Sequence, residues 1–232
     1  MAMKYDIIIP HYSVGETNAL ALKCLQSIRH YSKDYRLIWI DNGGTAACAE
    51  LLEELHQHSH TVIIRNSENL RFVRAVNQGL AISNAPHIVI MNNDTEARPR
   101  WLEMLAAALH SSIGLSGPRS TSKLQWQGRV VPHQDPLILA TGYMLAFFCV
   151  MMPRNVFEKV GYLDEDFSEG FGDDDHYCAR IRKAGYKLSL VRNLQIPHHH
   201  RKTFQALFTP QEITEMHKKA ATLYHQKVGT MK

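Results

Sequence analysis

Four short apolar runs, rich in β-branched residues, punctuate the first half of the chain: "YDIIIP", "RLIWID", "HTVIIRN" and "HIVIMNND". Each is apolar throughout rather than alternating, the pattern of strands covered on both faces. Between them, apolar residues recur at helical spacing over Asn18–Tyr31, Ala46–His58 and Phe72–Ser83. Strand and helix in this alternation predict an α/β fold with a mostly parallel sheet and right-handed crossovers. Such sheets bind ligands outside the carboxyl ends of their strands. The runs end in "PHYS", "DNGG" and "NND", so Tyr12, Asp41 and Asp94 are expected along one edge of one cleft.

The rhythm changes after "RPRWLEMLAAALH", a helix with Trp101, Leu105 and Leu109 on one face. A stretch rich in Gly, Ser and Pro, from Ser111 to Gln134, reads as a loop. The apolar segment Leu137–Met152 is broken by Thr141 and Gly142 and falls short of the roughly 20 residues a membrane span needs, so it predicts a buried strand pair. A short helix near Asn155–Val160, an acidic segment, a helix over Asp173–Ala184 and the strands "KLSLV" and "LQIP" follow. At the end, Thr209, Pro210 and Glu212 form a capping box. Ile213, Met216, Ala220, Leu223 and Tyr224 then line one face of an amphipathic C-terminal helix. Docking on the body is its expected use, with a partner or membrane surface as the alternative. Neither repeats nor a linker divide the chain.

Composition narrows the classes. The 232 residues are 45 % hydrophobic and 21 % charged, as in globular proteins that need no staples. A net charge of +4 is far from a nucleic-acid footprint and suits an anionic small molecule or membrane face. The four cysteines show no CxxC pairing or zinc spacing and read as reduced thiols of a cytosolic protein. The N-terminus lacks the features of a secretory signal.

Two acidic groups carry candidate chemistry. Asp94 emerges from a buried strand between amides and can offer oxygen to a divalent cation, or simply cap a turn. Asp173, Asp174 and Asp175 occupy the first turn of a helix, where the partial positive charge stabilises carboxylates. Three in a row also repel one another and raise a pKa, which suits a general base.

Together, "DIIIPHYS", "LIWIDNGG", "ENLRFVRAVNQGL", "IVIMNNDTEARPRWLEML" and "VFEKVGYLDEDFSEGFGDDDHYCARIRKAGYKL" resemble glycosyltransferase family 2, inverting enzymes of GT-A fold that use nucleotide sugars. The ending "TLYHQKVG" resembles bacterial surface-polysaccharide members. The resemblance implies one GT-A domain over 1–232, a Rossmann-like, mostly parallel sheet flanked by helices. Residues 1–110 would be its nucleotide-sugar-binding half, 111–208 its acceptor and catalytic half, and 209–232 the C-terminal helix. It implies that Pro10, Tyr12 and Asp41 hold base and ribose. "NND", Asn92, Asn93 and Asp94, would match the metal-binding motif, with Asp94 as ligand. Asp173 and Asp174 would match the acidic pair, Asp174 being the catalytic base. The family often has glycine at position 71. Arg71 implies the loss of a glycine turn and places a guanidinium near the diphosphate.

The family's histidine after the next strand falls on His198, the first of the run "PHHHRK". Neighbouring residues of a strand face opposite ways, so a zinc cage from His198, His199 and His200 is not expected. Arg201 and Lys202 would add positive charge. The resemblance therefore implies transfer of a sugar from a UDP- or dTDP-sugar to an acceptor hydroxyl, with Mn²⁺ or Mg²⁺ on Asp94 and His198. The acceptor would be a glycan or lipid-linked glycan of the bacterial surface. No nucleic-acid partner is implied, and the place of action would be the cytoplasm or the inner membrane face. A sugar-nucleotide pyrophosphorylase would want basic residues after the first strand, where "PHYSVGET" has none. A non-catalytic scaffold would have no need of Asp94, Asp174 and His198 together.

Overall fold

The structure is a computed structural model and describes residues 3–44, 48–110, 112–121, 130–132, 138–142, 144–168, 170–199 and 206–229. Its strands in chain order are β1 (Tyr5–Ser13), β2 (Tyr35–Gly44), β3 (Thr61–Arg65), β4 (His87–Met91), β5 (Ile113–Ser120), β6 (Val130–Pro132), β7 (Ile138–Gly142), β8 (Cys149–Pro153) and β9 (Lys187–Ile196). Its helices are α1 (Thr17–Tyr31), α2 (Ala49–Gln57), α3 (Arg71–Ile82), α4 (Trp101–Ala107), α5 (Arg154–Val160), α6 (Asp173–Lys183) and α7 (Pro210–Gly229). The strands form one sheet in the order β3-β2-β1-β4-β8-β5-β9-β7-β6. β1 to β4 are mutually parallel, β8 runs against β4 and β5, and β9 is parallel to β5.

The apolar runs of β1, β2 and β4 behave as strands clothed on both faces, whereas that of β3, at the sheet edge, is only half-buried. Ile7, Ile8 and Ile9 of β1, Leu37, Ile38 and Ile40 of β2, and Ile88, Val89 and Ile90 of β4 are fully buried. α3 lies so close over β1 that a Cβ added at Gly79 would stand 2.5 Å from Ile8 Cγ2.

Three expectations needed revision. The stretch read as a loop from Ser111 contains β5, an interior strand between β8 and β9. Its small residues serve close packing rather than turning: a Cβ at Gly114 would meet Tyr186 Cβ at 2.7 Å. The apolar segment from Leu137 does supply two strands, β7 and β8, but they do not pair with each other; β8 lies between β4 and β5, and β7 between β9 and β6. Finally, "KLSLV" and "LQIP" belong to one strand, β9. Asn193, at φ 59°, absorbs the irregularity there as Asn tolerates left-handed backbone.

The capping box at the start of α7 forms as drawn. Thr209 N–H donates to Glu212 Oε2 (2.8 Å), and Glu212 N–H donates to Thr209 Oγ1 (3.3 Å). α7 docks on α6: Met216 is buried, Leu223 and Tyr224 pack on the core, and Ala220 lies beside Gly172. Among the described residues no helix is long and apolar enough to cross a membrane.

Because β9 is parallel to β5, and both point as β4 does, the segments leaving β4 and β9 reach the same sheet edge. α6 runs back to β9 through a short turn at Gly185, so its first turn also lies toward that edge.

Candidate active site

Asp94 leaves β4 and His198 leaves β9, two strands apart from each other across β8 and β5. The backbone brings them together. Thr95 and His198 form an antiparallel bridge. His199 N–H donates to Asp94 C=O (3.0 Å), and Glu96 N–H donates to Pro197 C=O (3.2 Å). His198 Nε2 then stands 3.1 Å from Asp94 Oδ1, both groups being about nine-tenths buried. Phe148 stacks on the imidazole at 4.9 Å and fixes its plane. Asn92 anchors this corner: its N–H donates to Phe148 C=O (2.8 Å), and its Nδ2 lies 3.4 Å from His198 Nε2.

Asp94 Oδ1 is buried and makes no hydrogen bond among the described residues. Buried carboxylate oxygens are costly in that state, so the atom is suited to a further partner. A hard divalent cation fits. An oxygen and an imidazole nitrogen on one octahedral edge, with bonds of about 2.1 Å, lie about 3 Å apart. The described residues contain no cluster of three His, Cys, Asp or Glu that would form a complete cage. A cation on this pair would therefore depend on oxygens from elsewhere. His199 turns the other way, Nε2 at 3.3 Å from Glu96 Oε1, in an exposed position. His200, Arg201 and Lys202 lie outside the described residues.

The second acidic group opens α6. Gly172, at φ 76°, caps it in left-handed geometry, beneath Phe167 and Ala220. Asp173 is buried. Burial, with help from Asp175, pushes its carboxyl up to about 7. Burial first, and then Asp173 and Asp175, raise Asp174 as well. Asp174 Oδ1 accepts the N–H of Asp175 (2.9 Å). The segment before β8 links this turn to the Asp94 corner: Phe147 meets Tyr177 of α6 at 5.7 Å, Leu145 bonds Cys178, and the next residue, Phe148, carries the stack on His198.

At the edge formed by β1 and β2, Pro10 pairs with Ile40 and His11 with Asp41, so Pro10, Tyr12 and Asp41 emerge side by side. All three are half-buried. Asp41 Oδ2 lies 3.9 Å from Arg65 Nε. Gly44 permits the close approach of the two strand ends: at φ 102°, an added Cβ would stand 2.5 Å from Ser13 C=O and 3.0 Å from the Tyr12 ring. Arg71 lies over the Phe208 ring (5.1 Å). Glycine is absent at position 71 but its conformation is not, because Arg71 has φ 66°. Asn69 Oδ1 accepts its N–H (2.9 Å) and Asn42 Nδ2 donates to its C=O (3.2 Å), holding a backbone that costs about 1–2 kcal/mol.

Two supports were not singled out from sequence. Asn42 is buried and uses both ends of its amide. Its Oδ1 accepts from Asn66 Nδ2 and Leu70 N–H, and its Nδ2 reaches Asn69. His11 is buried against Trp39 and accepts from Asn93 Nδ2 at Nδ1 (2.7 Å); its Nε2–H donates to Asn18 Oδ1 (2.9 Å). Asn93 thus faces inward, between half-buried Asn92 and buried Asp94. The only sequence signal for either was a polar residue amid apolar ones at a strand end.

Comparison with known proteins adds the family. The model of glycosyl transferase family 2 matches residues 6–161. An uncharacterized protein, y4gI, of Sinorhizobium fredii is 24 % identical, over 72 % of this chain and 21 % of its own length. Among solved structures, GalNAc-T7 with UDP, GalNAc and Mn²⁺ superposes with TM-score 0.71 at 14 % identity, covering 85 % of this chain and 43 % of its own. The mannosyltransferase PcManGT of Pyrobaculum calidifontis, with GDP-Man and Mn²⁺, gives 0.65 at 14 %, covering 100 % and 72 %. S. aureus TarS 1–349 with UDP-GlcNAc gives 0.66 at 13 %, covering 95 % and 66 %. The chain thus spans about a fifth of the curated relative and under half of GalNAc-T7. At these identities the superpositions speak to the fold, a GT-A Rossmann-like sheet flanked by helices. With a family model matching about two thirds of its length, the chain belongs to glycosyl transferase family 2.

Proposed function

We propose that the chain transfers one sugar, with inversion, from a nucleotide-diphosphate sugar to an acceptor hydroxyl. The observation that carries this reading is the meeting of Asp94 and His198 at the carboxyl edge of the sheet, 3.1 Å apart and with Asp94 Oδ1 lacking a hydrogen bond among the described residues. Pro10, Tyr12 and Asp41 would hold base and ribose, UDP or dTDP, and residues 1–110 would form the donor half. Arg71, Asn92 and Asp173 would border the diphosphate, while Asn93 contributes by fixing the turn. The neighbours crystallised with UDP, UDP-GlcNAc or Mn²⁺ support this choice of ligands.

Asp174 is the base. It takes the proton of the acceptor hydroxyl as that oxygen attacks the anomeric carbon. The bond from this carbon to the diphosphate oxygen breaks, and its electron pair leaves with the nucleoside diphosphate. A single displacement of this kind inverts the anomeric centre. A raised carboxyl pKa suits the role, because a base is most effective when it titrates near the working pH. Asp94 and His198 would hold Mn²⁺ or Mg²⁺, which neutralises charge growing on the leaving diphosphate. Residues 111–208 would receive a glycan or lipid-linked glycan acceptor, in bacterial surface-glycan synthesis on the cytoplasmic side, where peripheral membrane contact would serve a lipid-linked acceptor.

Release of nucleoside diphosphate from a panel of donors, with and without Mn²⁺, tests the proposal. Asp174→Asn is expected to lose at least about 100-fold in turnover while donor binding persists. Undiminished release in that variant would remove Asp174 from the mechanism. Release absent from wild type with every donor and a range of acceptors would favour the scaffold reading, and pyrophosphate formation the pyrophosphorylase.

A further inference from the structure

The ending "TLYHQKVG" and the charged face of α6 take no part in the proposed transfer, yet they meet. Lys159 of α5, Arg180 and Lys183 of α6 and Lys227 of α7 line a cavity of about 720 Å³, together with His176 and a single carboxylate, Asp164. His176, Arg180 and Lys183 recur at steps of four and three, which makes them one stripe of the helix. Asp174 is about 200° around the helix from His176, and Lys183 is roughly 13 Å further along it than Asp174. The cavity is therefore on a different face from the acidic turn that serves the transfer.

Its charges are mostly uncompensated. Lys159 Nζ donates to Ala184 C=O (2.8 Å), and Arg180 donates to Val160 C=O and Tyr162 C=O. Carbonyl oxygens close the ends of α5 and α6 but carry no formal charge. Lys183 is exposed, with no ion pair or hydrogen bond among the described residues. Of these cations, Lys227 is the one with carboxylate partners among the described residues, Asp164 (2.9 Å) and Asp166. Beneath these cations sits His176, 3 % exposed and stacked on Phe167 at 4.9 Å. Its Nδ1 faces Asp164 Oδ2 at 3.8 Å. Its Nε2 is buried with no hydrogen-bond partner among the described residues, on a residue that lines the cavity.

We propose that this cavity is a second ligand site, which takes a phosphate-bearing anion between the Nε2–H of His176 and the cations Lys159, Arg180 and Lys183. Phosphate is favoured over a carboxylate because its tetrahedral oxygens accept from several directions at once, and these donors come from two helices and a buried ring. The cavity exceeds a lone phosphate, so the group attached to it is accommodated too. A soluble phosphorylated metabolite and a phospholipid headgroup share this chemistry. Burial holds the His176 pKa down, while Asp164 at 3.8 Å from Nδ1 and an anion at Nε2 would both favour its protonated form.

The test uses metal-free full-length protein. Pyrophosphate is titrated calorimetrically, and binding to phosphatidylcholine vesicles is measured with and without phosphatidylglycerol. His176 ring nitrogens are followed by NMR. Pyrophosphate binding that shifts the His176 resonances, weakens about tenfold or more in the Lys159→Gln/Lys183→Gln double variant and survives in His198→Ala supports the site. Retention on phosphatidylglycerol vesicles that Lys183→Gln abolishes identifies a headgroup source; pyrophosphate binding without retention identifies a soluble one. Lys183→Gln alone, at an exposed and unbonded position, decides the matter if the double variant does not fold. Absence of both kinds of binding in wild type overturns the proposal. So does binding that falls with His198→Ala but not with the lysine variants, since the anion would then sit at the transfer site.

Discussion

The imidazole of His11 is held on both sides, by Asn93 at Nδ1 and Asn18 at Nε2, and burial pushes its pKa down to about 4. It is therefore neutral across the physiological range, with the proton on Nε2. Asn93 immediately precedes Asp94, so this bond ties the end of β1 to the turn that presents the candidate cation ligand. Two substitutions separate its contacts. Asn at position 11 can place an acceptor near Nδ1 and keep Asn93; Gln can place a donor near Nε2 and keep only Asn18. His11→Asn is expected to retain Mn²⁺ affinity in the presence of UDP, while His11→Gln loses about tenfold at similar melting temperature. Equal affinities would show that His11 only fills space. Asp94 stood out because a carboxylate at a strand end is chemically conspicuous, and His198 came from the resemblance to the family's histidine after the next strand; the structure brings the two within 3.1 Å. It did not reach His11, because a histidine inside "PHYS" carries no periodic or spacing signal of its two partners. Arg71 illustrates the opposite: its residue type suggested a lost turn, whereas hydrogen bonds from Asn69 and Asn42 preserve the turn without glycine.

At the scale of elements, patterns over many residues were readable and patterns of small residues were not. The strands β1, β2 and β4 show as apolar runs since both faces are buried; β3, an equally apolar run, lies at the sheet edge and is only half-buried. β5 was hidden because Gly114, Ser116 and Gly117 look like turn formers, though Ser116 is fully buried and its Oγ–H donates to Leu105 C=O. The helix α7 was legible from its caps and stripe. What it covers was not: Phe171 meets His217 at 3.8 Å, just before the acidic turn of α6, and Lys227 pairs with Asp164 and Asp166. Docking should thus depend on the capping box. Thr209→Ala is expected to raise amide hydrogen exchange severalfold in the first turn of α7. The effect should spread to residues 170–174 if the helix steadies that turn. Exchange confined to the first turn would show the two segments to be independent.

For the molecule as a whole, the acidic turn costs stability at neutral and higher pH. Unfolded, the carboxyls of Asp173 and Asp174 titrate near 4; folded, burial raises both, Asp173 to about 7. The folded state binds their protons more tightly, so their contribution is fully present below about pH 4 and is lost as pH rises through about 7. Metal-free protein should accordingly melt at lower temperature at pH 8 than at pH 5.5. Asp174→Asn, which removes the charge of a half-buried carboxyl, should narrow that difference. A variant that melts below wild type at pH 8 would refute this assignment of cost. Under the proposed mechanism this cost would be that of a preorganised base. The fold places the acidic turn, the Asp94–His198 corner and the edge carrying Pro10, Tyr12 and Asp41 along one side of a single sheet, and the central claim is that the corner seats a cation for the departing diphosphate. Calorimetric titration of Mn²⁺ in the presence of UDP tests it most directly. His198→Ala should weaken binding at least about tenfold, and His199→Ala, whose ring turns to Glu96, should leave it within about twofold of wild type. Binding that survives His198→Ala and fails in His199→Ala would contradict the account.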